Sequence, residues 1–439
     1  RDISKYLREI SPIDDFTGKT WELSFLSHYF EEPKVTPQEA IIKGLTYDMP
    51  LRVKVRLINK ITSDEIEQDV FLGDIPKMTE RGTFIISGIE RAVVNQLVRS
   101  PGVFFAGNID HTTGRLLFTA ELRPMRGSWL ELTVGKNDVI TGKIDRHRKF
   151  YATTLLRALG LEDDEEIKEL FKEVDSNSDH QYIFATLAKD PNKTQAEALL
   201  DLYDKVRPGE PAVLENAKTL FFQSFFDPRR YDLESVGRYK LNKKLGLDIK
   251  NTADNQVLQK SDIIGMIKYL IGLQNGVGVV DDIDNLSNRR VRRVGELLGA
   301  TAFRIGLLRL ERSIKEKMSL VKPEESVTPV QLINARPVIA TISEFFRRNR
   351  LSTILDQTNP LAEIDNLRRL SVMGTGGVTR ERASFSMRDI NASQYGRICP
   401  VRSPEGPNIG LVTYLSLYAR VNEFGFLESP YRRVETVKK

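Results

Sequence analysis

The spacing of apolar residues changes between residues 140 and 150, and this change constrains the fold more than any other feature of the sequence. Between residues 51 and 140, apolar and polar residues alternate in segments such as LRVKVRLI and SWLELTVG, which is the period of strands that bury one face. Between residues 150 and 280, apolar residues recur every three or four positions, as in EEIKELFKEV and DIIGMIKYLIGLQ, which is the period of helices. The sequence therefore predicts an α+β protein whose strand-rich part precedes a helical part.

Shorter patterns predict individual helices. One helix is expected to interrupt the strands at about Glu90–Arg99. Ser261 is expected to cap the N-terminus of the helix in DIIGMIKYLIGLQ, and a glycine near its end is expected to stop it. A long helix is expected from about Asn288 to Ser319, and a further helix is expected to begin at Pro337 and to run to about Asn349.

The regular pattern ends after Leu351. Apolar and aromatic residues continue to the C-terminus, which argues against disorder. A long irregular segment in an ordered protein is usually functional, so we expect a loop-rich functional region here. The residues that interrupt regular structure are Pro360, Gly374, Gly376, Gly377, Pro400, Pro404, Gly406, Pro407 and Gly410.

Positive charge is concentrated in the C-terminal part. The 439 residues carry a net charge of +5, but residues 281–439 contain 26 Lys and Arg against 18 Asp and Glu, a balance of +8 that leaves −3 for the rest. Arginine suits bidentate contact with phosphate, and the neighbouring glycine-rich loops would let the backbone approach a polyanion closely. Solvated helix faces with salt bridges are the alternative. The arginines are Arg289, Arg290, Arg292, Arg293, Arg347, Arg348, Arg350, Arg368, Arg369, Arg380 and Arg382.

No motif of a self-contained catalytic site is present. The sequence lacks HExxH, CxxC, G-x-x-x-x-G-K-[ST] and G-x-S-x-G. Asp281, Asp282 and Asp284 could bind magnesium, but DDIDNLSNRR also suits a turn and helix cap, and we favour that hydrogen-bonding role. The one cysteine, Cys399, excludes an internal disulfide and favours a reducing compartment. No apolar run is long enough to span a membrane.

The chain begins with Arg1 and ends at Lys439 with the residues VETVKK. Neither end has the features of a signal segment or a natural terminus. We therefore expect the chain to be part of a longer protein, with any catalytic group outside it.

Six segments share a specific resemblance with one family. They are GTFIISGIERAVVNQLVRSPGVFF (82–105), RPMRGSWLELTV (123–134), IDRHRKFYATTLLRALG (144–160), RYDLESVGRYKLN (230–242), DDIDNLSNRRVRRVGELL (281–298) and SPEGPNIGLVTYLSLYA (403–419). In this order they resemble the beta subunit of bacterial DNA-dependent RNA polymerase. The resemblance extends over essentially the whole chain and corresponds to the N-terminal part of the subunit, before its catalytic-centre half.

The resemblance implies a multidomain α+β architecture. Residues 1–143 would form the first part of the mixed sheet-and-helix protrusion, residues 144–285 the largely helical lobe inserted into it, residues 286–350 the second part of the protrusion, and residues 351–439 the loop-rich fork region. In the family, lobe and protrusion form one jaw of the cleft that holds downstream DNA. The fork region faces the separating strands and the RNA path.

The resemblance also implies nucleic-acid contacts. Ile283, Asp284 and Arg289 resemble the pocket for a flipped non-template base, where hydrogen bonds offset the roughly few kcal/mol that extrusion costs. The resemblance therefore implies that the aspartates accept hydrogen bonds from the edge of a base and organise the site, and that they are not metal ligands. The fork residues would contact phosphates without reading sequence. They are Arg380, Arg382 and Arg388.

The segment LSTILDQTNPLAEIDNLRRLS (351–371) and the loop SPEGPNIG resemble the RNA path and the rifamycin-binding region. The matching positions are Leu351, Ser352, Asp356, Arg369, Ser371, Pro404, Glu405 and Asn408. Thr353 stands where Gln is usual, Ile354 where Phe is usual, and Asn366 where His is usual. Losing a polar partner in a buried ligand site costs about 1–3 kcal/mol, so rifamycin binding is expected to be weakened by more than about tenfold.

The resemblance implies several partners. The strand around Glu65, Ile66 and Glu67 resembles the edge to which transcription-repair coupling factor or a CarD-type regulator adds a strand. The implied partners are the beta-prime, alpha, omega and sigma subunits, DNA and RNA, with no membrane. The chain itself would bind no cofactor, because the magnesium of the assembled enzyme is held by beta-prime. The implied location is the cytoplasm, in association with the nucleoid.

Three functions are compatible with these observations. The first is a part of an RNA polymerase subunit, a nucleotidyltransferase component that is inactive alone. The second is a free-standing DNA-binding scaffold that shares the polymerase jaw. The third is a standalone phosphoryl-transfer enzyme using Asp281, Asp282 and Asp284. The six ordered segments favour the first.

Overall fold

The computed structural model describes residues 3–321 and 327–434, and the chain ends Arg1 and Lys439 lie outside this part. Its α-helices are α1 (Ile3–Ile10), α2 (Pro37–Ile42), α3 (Ala152–Ala158), α4 (Asp164–Phe171), α5 (Tyr182–Lys189), α6 (Gln195–Val206), α7 (Leu214–Phe225), α8 (Glu234–Leu245), α9 (Lys260–Gln274), α10 (Val294–Leu298), α11 (Arg304–Leu320), α12 (Pro329–Leu332), α13 (Arg336–Arg348), α14 (Pro360–Leu367) and α15 (Phe385–Arg388). Shorter turns are the 3-10 helices Ala253–Gln256, Arg380–Arg382 and Ala392–Gln394 and the π-helical turn Gly299–Phe303.

The strands are β1 (Ile13–Asp14), β2 (Trp21–Phe30), β3 (Asp48–Asn59), β4 (Glu65–Pro76), β5 (Phe84–Ile86), β6 (Ile89–Val93), β7 (Asn95–Arg99), β8 (Gly102–Ile109), β9 (Leu116–Arg123), β10 (Leu130–Val134), β11 (Ile140–Ile144), β12 (Phe150–Tyr151), β13 (Arg289–Arg292), β14 (Ser352–Ile354), β15 (Arg369–Ser371), β16 (Val412–Tyr414), β17 (Arg420–Val421) and β18 (Leu427–Glu428). The predicted α+β class is confirmed, because the segments of alternating hydrophobicity form strands and those of helical period form α3 to α9. No helix of the described part is both long and apolar enough to cross a lipid bilayer.

The chain divides into two compact units. The first unit comprises residues 1–98 and 284–439, and the second unit comprises residues 99–283, so the second is inserted into the sequence of the first. The predicted boundary between residues 143 and 144 does not separate compact units, because it falls inside β11, whose neighbours β10 and β12 belong to the same sheet. The second unit instead begins at Arg99.

The second unit is an antiparallel sheet covered by helices. The strand order is β12–β11–β10–β9–β8. Leu130, Leu132 and Val134 are buried and alternate with half-buried residues along β10, so one face of the strand enters the core. Leu155 of α3 and Phe171 of α4 belong to the same buried cluster. Each such side chain contributes about 1.5–3 kcal/mol by burial.

The first unit is built on the antiparallel sheet β1–β2–β3–β4. Leu23 and Val53 of this sheet share a buried cluster with Leu310 of α11 and Phe346 of α13. Two smaller sheets, β13–β7–β15–β16 and β14–β6–β5, combine strands from both chain segments of the unit. These small sheets anchor the irregular C-terminal part, in which β17 and β18 form a short hairpin.

The predicted helix at Glu90–Arg99 is wrong. These residues form β6 and β7, because each pairs with a strand that is distant in sequence: β6 with β14, and β7 with β15. Backbone pairing across the unit outweighs the local helical spacing.

Two other helix predictions hold in part. The predicted helix from Asn288 to Ser319 begins as β13 and becomes helical only at Val294, and the π-helical turn divides it. The helix that contains DIIGMIKYLIGLQ starts after Gln259, whose backbone N–H donates to the Asp262 carboxylate at 2.7 Å, so Ser261 is not its N-cap. The helix predicted from Pro337 is confirmed as α13.

Candidate nucleic-acid interface

The segment predicted to line the RNA path begins at β14, which pairs antiparallel with β6. Leu351 is buried in the core of the first unit, and the Ser352 hydroxyl donates to the carbonyl of Phe346 at 2.7 Å. The Thr353 hydroxyl donates to a main-chain carbonyl of β6 at 3.4 Å. Ile354, by contrast, is 63% exposed. The first three residues therefore fix the backbone, and Ile354 presents an apolar side chain to solvent.

Two predicted residues of this segment stabilise local turns. The exposed Asp356 carboxylate accepts the hydroxyl and the backbone N–H of Thr358 at 2.9 and 3.2 Å. These bonds, with the charge of Arg369, lower the pKa of Asp356. The buried Ser371 hydroxyl accepts the backbone N–H of Met373 at 3.2 Å.

Two guanidinium groups lie over one aromatic ring near β15. The Arg369 and Arg402 guanidinium carbons lie 5.6 and 4.8 Å from the ring centre of Tyr414, within cation–π range. Arg402 also donates to the Asp365 carboxylate at 3.2 Å. Arg402 and Tyr414 were not predicted as site residues, although Arg402 directly precedes the SPEGPNIG motif and Tyr414 follows it.

Three buried polar atoms in this region lack a hydrogen-bond partner within the described part of the chain: Asn366 Oδ1, Arg369 Nε and Asn408 Oδ1. The side chain of Asn366 is only 4% exposed. Buried polar atoms are normally satisfied by protein, water or a ligand. Two acceptors and one donor are therefore left unsatisfied within this part of the fold.

Arg388 connects the fork segment with the SPEGPNIG loop. Its guanidinium donates to the carbonyls of Pro407 and Ile409, each at 2.9 Å, and to the carbonyl of Arg380 at 3.2 Å. Gly410 has φ +70°, and a Cβ there would overlap the main chain of Arg388. Arg388 thus positions two loops, and its predicted contact with DNA remains a prediction.

The other fork arginines face solvent. Arg380 and Arg382 are exposed on a 3-10 turn and flank Glu381. Glu405 is exposed as well, whereas Pro404 is half-buried. The turn therefore presents two guanidinium groups that can reach phosphates.

Of the residues predicted to bind a flipped base, Ile283 is assigned to the second unit, and Asp284 and Arg289 are assigned to the first. Arg289 is buried, and desolvation lowers its pKa, while the charge of Asp284 acts in the opposite direction. The neighbouring Arg290 donates from both terminal nitrogens to the Glu296 carboxylate at 2.7 Å. That pair was not predicted, and it fixes β13 directly beside Arg289.

The first residue of the aspartate run makes hydrogen bonds within its own unit. The Asp281 carboxylate accepts the backbone N–H of Phe105 at 2.9 Å and the Lys244 amine at 2.8 Å, which supports the hydrogen-bonding interpretation for this residue. Across residues 3–321 and 327–434, no group of three or more His, Cys, Asp or Glu could hold a metal ion.

The predicted regulator-docking residues lie on an edge strand. β4 is the last strand of its sheet. Glu65 and Glu67 pair with Arg56 and Lys54 of β3 at 3.1 and 2.7 Å, and Ile66 is half-buried. The carboxylates are therefore used within the sheet, and the backbone edge is what a partner strand would recognise.

The sequence analysis missed an aromatic site in the second unit. The Trp129 ring has the guanidinium carbons of Arg123 and Arg146 at 4.5 and 5.4 Å from its centre, and Trp129 is 38% exposed. Its backbone N–H donates to the Asp145 carboxylate at 2.7 Å. The indole is partly exposed and has two cations within cation–π range, a combination that favours contact with a nucleobase and its phosphate. The tryptophan in the basic segment RPMRGSW is the sequence feature from which this site could have been predicted.

The sequence is similar to known polymerase subunits. Two protein-family models match it: RNA polymerase Rpb2, domain 2, over residues 99–292, and RNA polymerase Rpb2, domain 3, over residues 353–421. The subunit "DNA-directed RNA polymerase subunit beta" of Chloroflexus aggregans is 52% identical over 97% of the chain, and that of Dehalococcoides mccartyi is 50% identical over 98%. The chain spans 37% and 34% of the length of these relatives. The domain 2 match begins at Arg99, where the second unit begins.

Proposed function

The chain belongs to the family of bacterial DNA-directed RNA polymerase beta subunits, and on this premise we propose that it supplies part of the nucleic-acid cleft of an RNA polymerase. The observation that carries the proposal is 52% identity over 97% of the chain. The chain would act within a nucleotidyltransferase, together with beta-prime, alpha, omega and sigma subunits. It would be inactive alone, because magnesium would be held by beta-prime.

The proposed roles follow the two units. Each unit would supply part of the jaw that holds downstream DNA in the family. The irregular part after Leu351 would face the separating strands and the RNA path. Its solvent-facing Arg380 and Arg382 support this assignment, because their guanidinium groups can donate to the phosphates of a strand.

Two base contacts are proposed. Asp284 and Arg289 would hold a flipped non-template base by hydrogen bonds, and Ile283 would contact its face. Trp129, with Arg123 and Arg146 beside its ring, would stack on a base, because aromatic stacking tolerates every base and contributes about 1–3 kcal/mol.

Two further binding roles are proposed. The pocket around Leu351–Ser371 would accept a rifamycin only weakly, because Thr353, Ile354 and Asn366 replace the residues usual in the family. The edge of β4 at Glu65–Glu67 would accept a strand of transcription-repair coupling factor or of a CarD-type regulator.

A chimeric polymerase tests this proposal. The matching segment of the Chloroflexus aggregans beta subunit is replaced by this chain, and the subunit is reconstituted with that organism's other subunits. We expect magnesium-dependent RNA synthesis from the chimera and none from the chain alone. A chimera that assembles but does not synthesise RNA, or synthesis by the chain alone, would contradict the proposal. The Arg380→Gln/Arg382→Gln chimera is expected to bind template more weakly and to assemble normally.

A further inference from the structure

A buried glutamate holds two of the arginines of β13. Each terminal nitrogen of Arg290 donates to one oxygen of the Glu296 carboxylate, both at 2.7 Å, and Arg292 Nε lies 3.5 Å from the same carboxylate. The side chains of Arg290 and Glu296 are only 4% and 8% exposed. Paired charge-assisted bonds of this kind fix direction as well as distance. Glu296 therefore restrains β13 through the side chains of Arg290 and Arg292.

Arg289 lies on the opposite face of the same strand. Successive side chains of a strand point to opposite faces, so Arg289 and Val291 share one face, whereas Arg290 and Arg292 share the other. Both residues of the first face are buried. A shift of one residue in the pairing of a strand exchanges its two faces. The bonds that Glu296 makes to one face therefore also determine the position of Arg289 on the other.

The strand that carries Arg289 has few backbone bonds of its own. β13 comprises four residues and is an edge strand of the sheet β13–β7–β15–β16. The turn between β17 and β18 adds one backbone bond, from the N–H of Val291 to the carbonyl of Gly425 at 2.7 Å. Arg290 Nε also donates to the carbonyl of Phe424 in this turn at 3.3 Å. A strand this short depends on side-chain bonds, such as those to Glu296, to keep its register.

Glu296 is itself held in place by the core of the first unit. It lies on α10, and its backbone N–H donates to the carbonyl of Arg293 at 3.0 Å. The next residue, Leu297, is 1% exposed and belongs to the main hydrophobic cluster of the unit. A supporting residue on a packed helix keeps a binding group in a defined geometry. Glu296 therefore fixes β13 relative to this core.

We propose that Glu296 is a positioning residue for the base contact of Arg289. The inference rests on the proposed function, in which Asp284 and Arg289 hold a flipped non-template base, and it adds a residue that acts only through β13. Without the Glu296 charge, β13 would shift, and the Arg289 guanidinium would leave the position from which it donates to the base. An ion pair that only stabilised the fold would not affect this contact selectively.

Open complexes of the chimeric polymerase test the inference. An abasic site is scanned through the downstream non-template nucleotides, and the lifetime of each complex is compared with that of the intact strand. The ratio of the two lifetimes reports the base contact, because a general loss of stability shortens both. We expect a ratio of roughly tenfold or more at one position in the parent chimera, about 1 in Arg289→Gln, and below about threefold in Glu296→Gln.

Glu9→Gln is the matched control. Glu9 of α1 pairs with Arg304 of α11 at 2.6 Å in the same unit, so this change removes the carboxylate of another arginine pair. The control is expected to keep the ratio of the parent chimera. Glu296→Asp keeps the charge on a shorter side chain and is expected to give an intermediate ratio. It replaces Glu296→Gln in the comparison if that variant does not assemble.

The outcomes separate this inference from the proposed function. If Arg289→Gln lowers the ratio while the Glu296 variant keeps it, the inference fails and the proposed base contact stands. An equal fall in Glu9→Gln also overturns the inference, because the loss of any ion pair would then suffice. A parent chimera with equal lifetimes at every scanned position, or an unchanged ratio in Arg289→Gln, contradicts the base contact and the inference together.

Discussion

Arginines of the second unit and arginines of the irregular C-terminal part are used in opposite ways. Arg157 and Arg238 are fully buried. Arg157 pairs with Asp190 at 3.2 Å, and Arg238 pairs with Asp262 at 2.7 Å. In the irregular part, Arg380 and Arg382 are exposed on a 3-10 turn. Arginine thus stabilises the fold of the second unit, whereas in the irregular C-terminal part it faces solvent, where a ligand can reach it.

The comparison shows that the number of charged residues in a region does not reveal whether those residues stabilise the fold or face solvent. The second unit has a continuous hydrophobic core, which can enclose an ion pair and keep water out. The C-terminal part has short strands and many exposed apolar groups, such as Phe385 at 89% and Leu417 at 78%. Its guanidinium groups bond to loop carbonyls, as in Arg388, lie over the Tyr414 ring, as in Arg369 and Arg402, or face solvent.

The largest expected effect concerns the buried pair of the second unit. Arg157→Met leaves Asp190 buried without its cation, which costs about 3–5 kcal/mol of unfolding free energy. Chemical denaturation monitored by hydrogen exchange in α3, α5 and α6 measures it. The exposed-site control Arg380→Met is expected to stay within about 0.5 kcal/mol. Similar losses from both variants would remove the contrast between the regions.

The second effect concerns how far burial in the second unit lowers the pKa of a lysine. Burial lowers the pKa of Lys240 from 10.5 to about 8. Since the unfolded chain binds this proton more tightly, the cost is fully present below about pH 8 and disappears above pH 10.5. Unfolding free energy should therefore rise by about 3 kcal/mol over this window relative to Lys240→Met. Parallel pH profiles for the parent chain and the variant would contradict this expectation.

The third effect concerns rifamycin binding by the irregular part. Inhibition of the chimeric polymerase by a rifamycin is expected to be more than about tenfold weaker than inhibition of the same chimera with the residues usual in the family at positions 353, 354 and 366. Restoring the usual residues by Thr353→Gln, Ile354→Phe and Asn366→His should recover the loss. Ordinary tight inhibition of the unmodified chimera would show that the three departures do not matter.

The smallest expected effect concerns the binding of a single-stranded nucleic acid by the second unit itself. Trp129→Ala is expected to weaken oligothymidylate binding by about 1–3 kcal/mol, because a stacked base is lost. Trp129→Phe keeps an aromatic face and should lose less. Fluorescence titration at fixed salt measures both variants. Equal affinity for Trp129→Ala and the parent chain would leave the second unit with a structural role only.

The helices and strands that depend on neighbouring residues were the part of the fold best predicted from the sequence. The alternation in LRVKVRLI and the helical spacing in EEIKELFKEV depend on neighbours in sequence, and both segments form the expected element. The segment Glu90–Arg99 was misread because its partners, β14 and β15, lie far along the chain. The boundary near residue 143 was misplaced for a similar reason, since no local signal shows that β11 and β12 share a sheet.

The candidate site was predictable only where a motif was complete. The resemblance supplied Asp284, Arg289 and the fork arginines as predictions, which binding measurements have to test. It did not supply the Arg290–Glu296 pair or the Tyr414 ring between Arg369 and Arg402, because these depend on side chains that meet only in the folded unit.

Hydrogen–deuterium exchange of the 439-residue chain, with and without oligothymidylate, tests the central claim most directly. The account predicts slower amide exchange on binding at residues 347–352 and 375–388, and unchanged exchange around the buried pairs Arg157–Asp190 and Arg238–Asp262. Protection confined to the helices of the second unit, with none at residues 347–352 and 375–388, would contradict it.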